Sequence, residues 1–302
     1  MLNTIIGADN IPNLHLRILL AGLLLATAVL PVHSVDWPSE NALLRTSFGQ
    51  PDKDRPSVGT VFAGQSSVRA ADAGEVLFVQ SDETFSWSMP QPLGSWVAVD
   101  HGNGIISVYS HLQSAGKDEG RSLVEKASIL GSAGESGWSK STGFGFALVD
   151  RTEKRWVNPA MIAPPRADTK PPSIRSVSLI TKDSNTIVLS GTKSLRQGLY
   201  NVLVDVTDSE DGSQTHFLAP LHIVCLVNGT ESCSLNLETI SALNGKLIVS
   251  RKNPTPASEV YGNPDGFNLG EIRLNRGKAT IDLIVRDASG NERSVSYTIN
   301  VE

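Results

Sequence analysis

Several things are scarce in this 302-residue sequence, and each shortage removes a class of explanation. Basic charge is short: the net charge of -5 leaves no positive field to hold phosphates, which argues against a nucleic-acid binder. Cysteine is short as well. Cys225 and Cys233 have no further ligands close by, so a cysteine metal site is not indicated. Long apolar runs are missing, since residues 18–32 give about 15 where a comfortable bilayer span needs roughly 20. No lipobox cysteine follows that run, so lipid anchoring through an N-terminal cysteine is not expected. There is no short-period repeat and no low-complexity tract.

The composition that remains is globular, with 40% hydrophobic and 19% charged residues, and the length suits a targeting segment plus two domains. The run at 18–32 is preceded by Arg17 and followed by His33 and Ser34. It reads as a secretory signal peptide cut after Ser34, with an uncleaved signal anchor as the alternative. Either reading places the mature chain outside the cytoplasm, in a periplasm or cell envelope. Cleavage would leave no membrane span. Residues 163–172 are rich in proline and unable to carry a helix or a central strand. The expected organisation is therefore a signal peptide at 1–34, a first domain at 35–162, a linker at 163–172 and a second domain at 173–302.

Both domains read as β. In the first, short apolar or β-branched runs at 67–80, 96–100 and 105–110 are separated by glycine-rich turns. The cluster Asp100, His101, Gly102, Asn103 and Gly104 predicts a hairpin, with His101 capping the turn. In the second, runs at 173–181, 186–190, 200–206, 221–227, 270–274, 279–285 and 294–301 predict seven short strands, the pattern of an immunoglobulin-like sandwich. Residues 238–268 are expected to hold a long loop. Asn228-Gly229 between the two cysteines is a hairpin signal. A three-residue loop at 228–230 would set Cys225 opposite Cys233, close enough for a disulfide in an oxidising compartment. Two buried free thiols are the other reading.

The first domain resembles the lysostaphin-type (LytM-like) zinc endopeptidases, which cut peptide cross-links in bacterial peptidoglycan. Residues 46–49 resemble the family's opening strand. Residues 68–76 resemble "V-x-A-A-x-x-G-x-V", residues 96–104 with 109–112 resemble "V-x-I-D-H-G-N-G…Y-x-H-L", residues 129–134 with 141–143 resemble "I-G-x-x-G…S-T-G", and residues 157–159 resemble "V-N-P". The resemblance implies an all-β, duplicated hybrid motif fold. It also implies a catalytic zinc, held by an early "H-x-x-x-D" and by the second histidine of an "H-x-H" just after "S-T-G". Zinc chemistry needs about three such donors and an open position for water.

The sequence departs from that pattern at every metal position. Residues 55–71 contain neither His nor Asp, and Gly145 and Ala147 stand where the paired histidines would be. Only His111 matches a functional family position. The site is therefore expected to hold no metal and to have no catalytic residue. A groove lined by His111, Tyr109, Trp138, Phe144, Gly145 and Ala147 would survive. Trp87, Trp96, Trp138 and Trp156 are candidate stacking platforms, Trp138 foremost. Asp205, Asp208, Glu210 and Asp211 form an acidic turn, read as solvated rather than calcium-binding. Ser139, Ser141 and His111 make no convincing triad.

The leading expectation is a non-catalytic envelope protein that binds peptidoglycan or regulates a cell-wall hydrolase. One alternative is an active endopeptidase, with zinc held by other donors. The other is an adhesin acting through the second domain.

Overall fold

Alternating burial along the strands sets the layers of this structure, a computed structural model that describes residues 35–81, 91–115, 122–213 and 215–302. The signal-peptide reading of residues 1–34 and the platform role of Trp87 lie outside the described residues. Among the described residues, no helix is long and apolar enough to cross a membrane.

In the first half the long strand Ile105–Ala115 lies between Ser95–Asp100 and Gly143–Asp150, antiparallel to both. Gly143–Asp150 pairs on its other side with Thr60–Ala63. One face of these strands presents Phe62, Val97, Val99, Tyr109, Phe144, Phe146 and Leu148, all buried. Phe62 stacks on Phe144 with centroids 4.7 Å apart. Each such ring removed from water is worth about 1.5–3 kcal/mol, so this face holds the sheet together. The hairpin predicted at 100–104 forms, with Asp100 opposite Ile106. Asp100 and Asn103 side chains accept from the amides of Gly102 and Ile105. His101 does more than cap: its ring bridges the Ala73 carbonyl (2.9 Å) and the Ser107 hydroxyl (2.8 Å).

The second half has two facing sheets. One contains Thr186–Val188, Ser173–Ile180, Gly198–Thr207 and Phe267–Leu274. The other contains His222–Val227, Thr230–Leu243, Lys246–Arg251, Gly277–Arg286 and Glu292–Val301. Val202, Val204 and Ile272 from the first sheet and Ile223, Leu235, Ile281 and Leu283 from the second share one buried core. Each predicted strand is present.

The loop expected at 238–268 is largely ordered instead. Thr230–Leu243 turns through Asn244-Gly245, both at positive φ, into Lys246–Arg251, and a short helix, Ala257–Tyr261, follows. An Asn-Gly turn of this kind closes a hairpin as the first one does.

Residues 35–302 form one compact body. Strand Arg155–Val157 pairs with residues 239–241 of the second half. Phe48 sits in the second core and Leu218 in the first. The proline-rich segment 163–172 has no regular structure but is pinned: the Trp37 indole donates to the Pro164 carbonyl at 2.7 Å. Arg166 and Glu210 form an ion pair with side chains only 14% and 8% exposed.

Candidate functional site

The site is assembled on the face of the first sheet opposite the aromatic core. Residues paired across antiparallel strands share a face, and alternate residues change face. Gly145 pairs with Ser110 and with Val61, and Ala147 pairs with Val108. These residues therefore floor one surface, while Phe144 and Phe146 point the other way into the core.

His111 reaches this surface by breaking the alternation. Its φ is 61°, in the left-handed region, and the register slips across it between the Ser95–Leu112 and Val97–Tyr109 pairs. The extra residue makes a β-bulge, a device that re-aims a side chain. The His111 amide is held by the Leu93 carbonyl at 2.8 Å. Its Nδ1 donates to the Ser136 carbonyl at 3.0 Å, leaving Nε2 as the acceptor of the neutral ring. His111 Cδ2 lies 3.6 Å from where a Cβ on Gly145 would stand. Burial holds the imidazole below its ordinary pKa; the Ser136 bond opposes this and the Arg45 charge adds to it.

The donors around His111 do not fit a zinc ion. Such a site takes about three side-chain ligands. Gly145 has none, and the place of its Cβ lies 2.3 Å from the Ser110 hydroxyl, so any side chain there must displace Ser110. Ala147 offers a methyl group. Opposite it, a Cβ on Gly59 would meet the Phe146 carbonyl at 2.8 Å and the Ala147 Cβ at 3.0 Å. Among the described residues, one group of three or more His, Cys, Asp or Glu gathers at metal-binding distance: Asp168, Asp208 and Asp287, elsewhere in the fold. There, burial first and the Asp287 charge second push the Asp208 carboxyl up to about 7.

Two groove candidates are corrected. Tyr109 is fully buried on the core face, its hydroxyl accepting from the Ala71 amide at 2.7 Å and from Ser107 at 3.0 Å. Burial pushes its pKa up to about 12. Phe144 is likewise fully buried against Phe62. Both sit one residue off the floor positions, and a strand turns such neighbours to its other face.

The tryptophans separate in the same way. Trp138 is 68% exposed, its amide bonded to the Pro92 carbonyl. Trp96 is half-buried and stacks on Phe78 at 4.6 Å. Trp156 packs against the second core and is no platform. Ser139 donates to the Ser141 carbonyl and Ser141 Oγ is held by Arg45, so neither activates the other through His111. The acidic turn is dispersed: Asp205 pairs with Arg175, Glu210 with Arg166 and Asp211 with Lys170.

The model of Peptidase family M23 matches residues 55–159. Those residues form an M23 peptidase domain. A second family model, which carries no description, matches residues 171–302. Solved structures similar to this chain include a mutant catalytic domain of the prophage-encoded M23 protein EnpA from Enterococcus faecalis, at 21% identity. That match covers 41% of this chain and 94% of the other, with a TM-score of 0.35. A zinc containing peptidase from Vibrio cholerae matches at 20% identity, over 42% of this chain and 39% of that one, with a TM-score of 0.34. The SpoIIQ–SpoIIIAH pore forming complex matches at 21% identity, over 43% and 90%, with a TM-score of 0.36. No curated protein matches the chain.

A strand just before the matched residues brings one polar residue to this surface that spacing did not single out. Arg45, on the first strand Leu44–Thr46, sends Nη1 to the Ser141 hydroxyl and to the Ser141 and Thr142 carbonyls. The sequence signal available was only an arginine inside an otherwise ordinary strand.

Proposed function

We propose that this chain is an exported cell-envelope protein whose M23 domain binds peptidoglycan peptide without cutting it. The observation that carries the reading is the floor at Gly59, Gly145 and Ala147, where metal donors would be needed and hydrogen or methyl stands. Without a divalent ion no water is activated and no scissile carbonyl is polarised. His111 alone supplies one imidazole, held by burial below its ordinary pKa and hydrogen-bonded to Ser136. The exposed Trp138, near the glycine-floored strand, suits a rim that grips sugar or peptide by its ring face. The second half, fused to the M23 domain through the strand pair at Trp156 and Ile240, would orient that surface. We read that half as an immunoglobulin-like sandwich.

Incubation of the purified chain with isolated sacculi tests the proposal. The protein should sediment with the sacculi, release no muropeptides and behave alike with and without a chelator. Chelator-sensitive release of muropeptides would establish an active endopeptidase instead.

A further inference from the structure

The floor of the M23 cleft carries a cation of its own. Arg45 uses only Nη1 on protein partners; among the described residues, Nε and Nη2 have none, and the guanidinium meets no carboxylate. The free Nε–Nη2 edge is the fork that matches a carboxylate with two parallel hydrogen bonds. Its Nη2 lies 3.4 Å from where a Cβ on Gly143 would stand. The His111 ring holds the corresponding place, at 3.6 Å, over Gly145. Those glycines are two residues apart on one strand, hence about 7 Å. A carboxylate seated between can accept from the guanidinium on one side and face His111 Nε2 on the other. The glycines add no side chain of their own, and the Ser110 hydroxyl beside Gly145 and the Phe62 carbonyl beside Gly143 border the seat.

We infer that Arg45 and His111 form a carboxylate-binding site on the cleft floor, recognising a peptide carboxylate, terminal or side-chain. The inference rests on the binding reading above. It predicts a proton linkage. With the site empty, burial first and the Arg45 charge after it hold the imidazole below its ordinary pKa, against the opposing Ser136 bond. A bound carboxylate offsets both effects, so binding strengthens as pH falls through the bound-state His111 pKa, by about tenfold for each unit that pKa rises. The charged group acting on His111 is Arg45 from the first strand, and the segment 135–142, whose Ser136 carbonyl takes the ring Nδ1, carries Glu135, bonded to Thr142, and Lys140. Residues 91–95 and 143–147, which also pack there, bring none.

The test follows the His111 ring signals of the exported chain by NMR against three probes. These are acetyl-alanyl-alanine, its C-terminal amide, and acetyl-glutamyl amide, which carries only a side-chain carboxylate. At least one acid should shift the ring signals and raise the His111 pKa, and which one does so identifies the source of the carboxylate. The amide should bind at least tenfold more weakly. Arg45→Gln should remove that preference, and Arg45→Lys should keep part of it. Equal binding of acid and amide overturns the inference alone, as does wild-type acid affinity in a folded Arg45→Gln protein. If Arg45→Gln does not fold, the acid–amide comparison on the wild type decides. Stoichiometric zinc bound through His111 would sink this inference together with the reading beneath it.

Discussion

Removing Arg166 should cost far more than removing an average surface arginine, because its partner is left buried. Arg166 Nε binds Glu210, and Nη2 reaches the Ala42 carbonyl at 2.7 Å and Glu210 Oε2 at 3.3 Å. Glu210 Oε2 also accepts from the Leu44 amide at 2.9 Å. The guanidinium carbon lies 5.4 Å from the Trp37 ring centre and 5.5 Å from that of Phe62. One side chain thus ties the segment after the M23 domain to the aromatic core before it and to a turn of the second half. Breaking a buried pair by deleting one partner costs about 3–5 kcal/mol, a range within which the loss of the cation–π contacts falls. Arg166→Ala should therefore lower the urea-unfolding free energy by about 3–5 kcal/mol and keep a single transition. The double variant Arg166→Met, Glu210→Leu should recover part of that loss, less the orphaned Leu44 amide. A loss under 1 kcal/mol would refute the reasoning. So would a wild-type protein that unfolds in two independent steps, with only one of them sensitive to Arg166.

Further outcomes follow from the same structure. Asp208 has a folded pKa raised to about 7, above its unfolded value, so its proton stabilises the fold at low pH and that stability is lost as pH rises from about 4 to 7. Asp208→Asn should flatten this slope and stabilise the protein by roughly 1–4 kcal/mol above pH 8, read from denaturant midpoints across pH. Cys225 and Cys233, buried thiols in this structure, stand directly opposite one another, in register for the expected bridge on oxidation. Protein exported under oxidising conditions should show no free thiol on titration, and reduction should cost about 2.5 kcal/mol by loop entropy. Phe62→Ala should cost about 3–5 kcal/mol, since Phe62 is fully buried against Phe144 and Trp37.

Much of the fold was legible because period-two burial and turn residues are local signals. The seven strands predicted for the second half follow from runs such as 200–206 and 279–285, bounded by glycine, asparagine and aspartate. Even the cysteine register was legible, though it arises differently from the expected three-residue loop. The turn uses only Asn228 and Gly229, closing on the Val227–Thr230 pair, and a bulge beyond Glu231 restores Cys225 to Cys233. Asn244-Gly245 carried the same signal inside the segment read as a loop. Other features depend on long-range pairing and were not legible. The strand pair between residues 155–157 and 239–241 joins two segments with no shared pattern. The bulge at His111 decides which face its ring takes, and no local propensity marks it. The face of Tyr109 and Phe144 follows from register alone, so motif proximity misplaced both. Arg45 acquires meaning only because Gly143 lies beside it in space and His111 stands over the next glycine on that strand.

The account stands most directly on metal content. The exported chain, purified in the presence of zinc and dialysed, should hold well under one zinc per chain by elemental analysis, unchanged by His111→Ala. One tightly held zinc per chain that is lost in His111→Ala would contradict it.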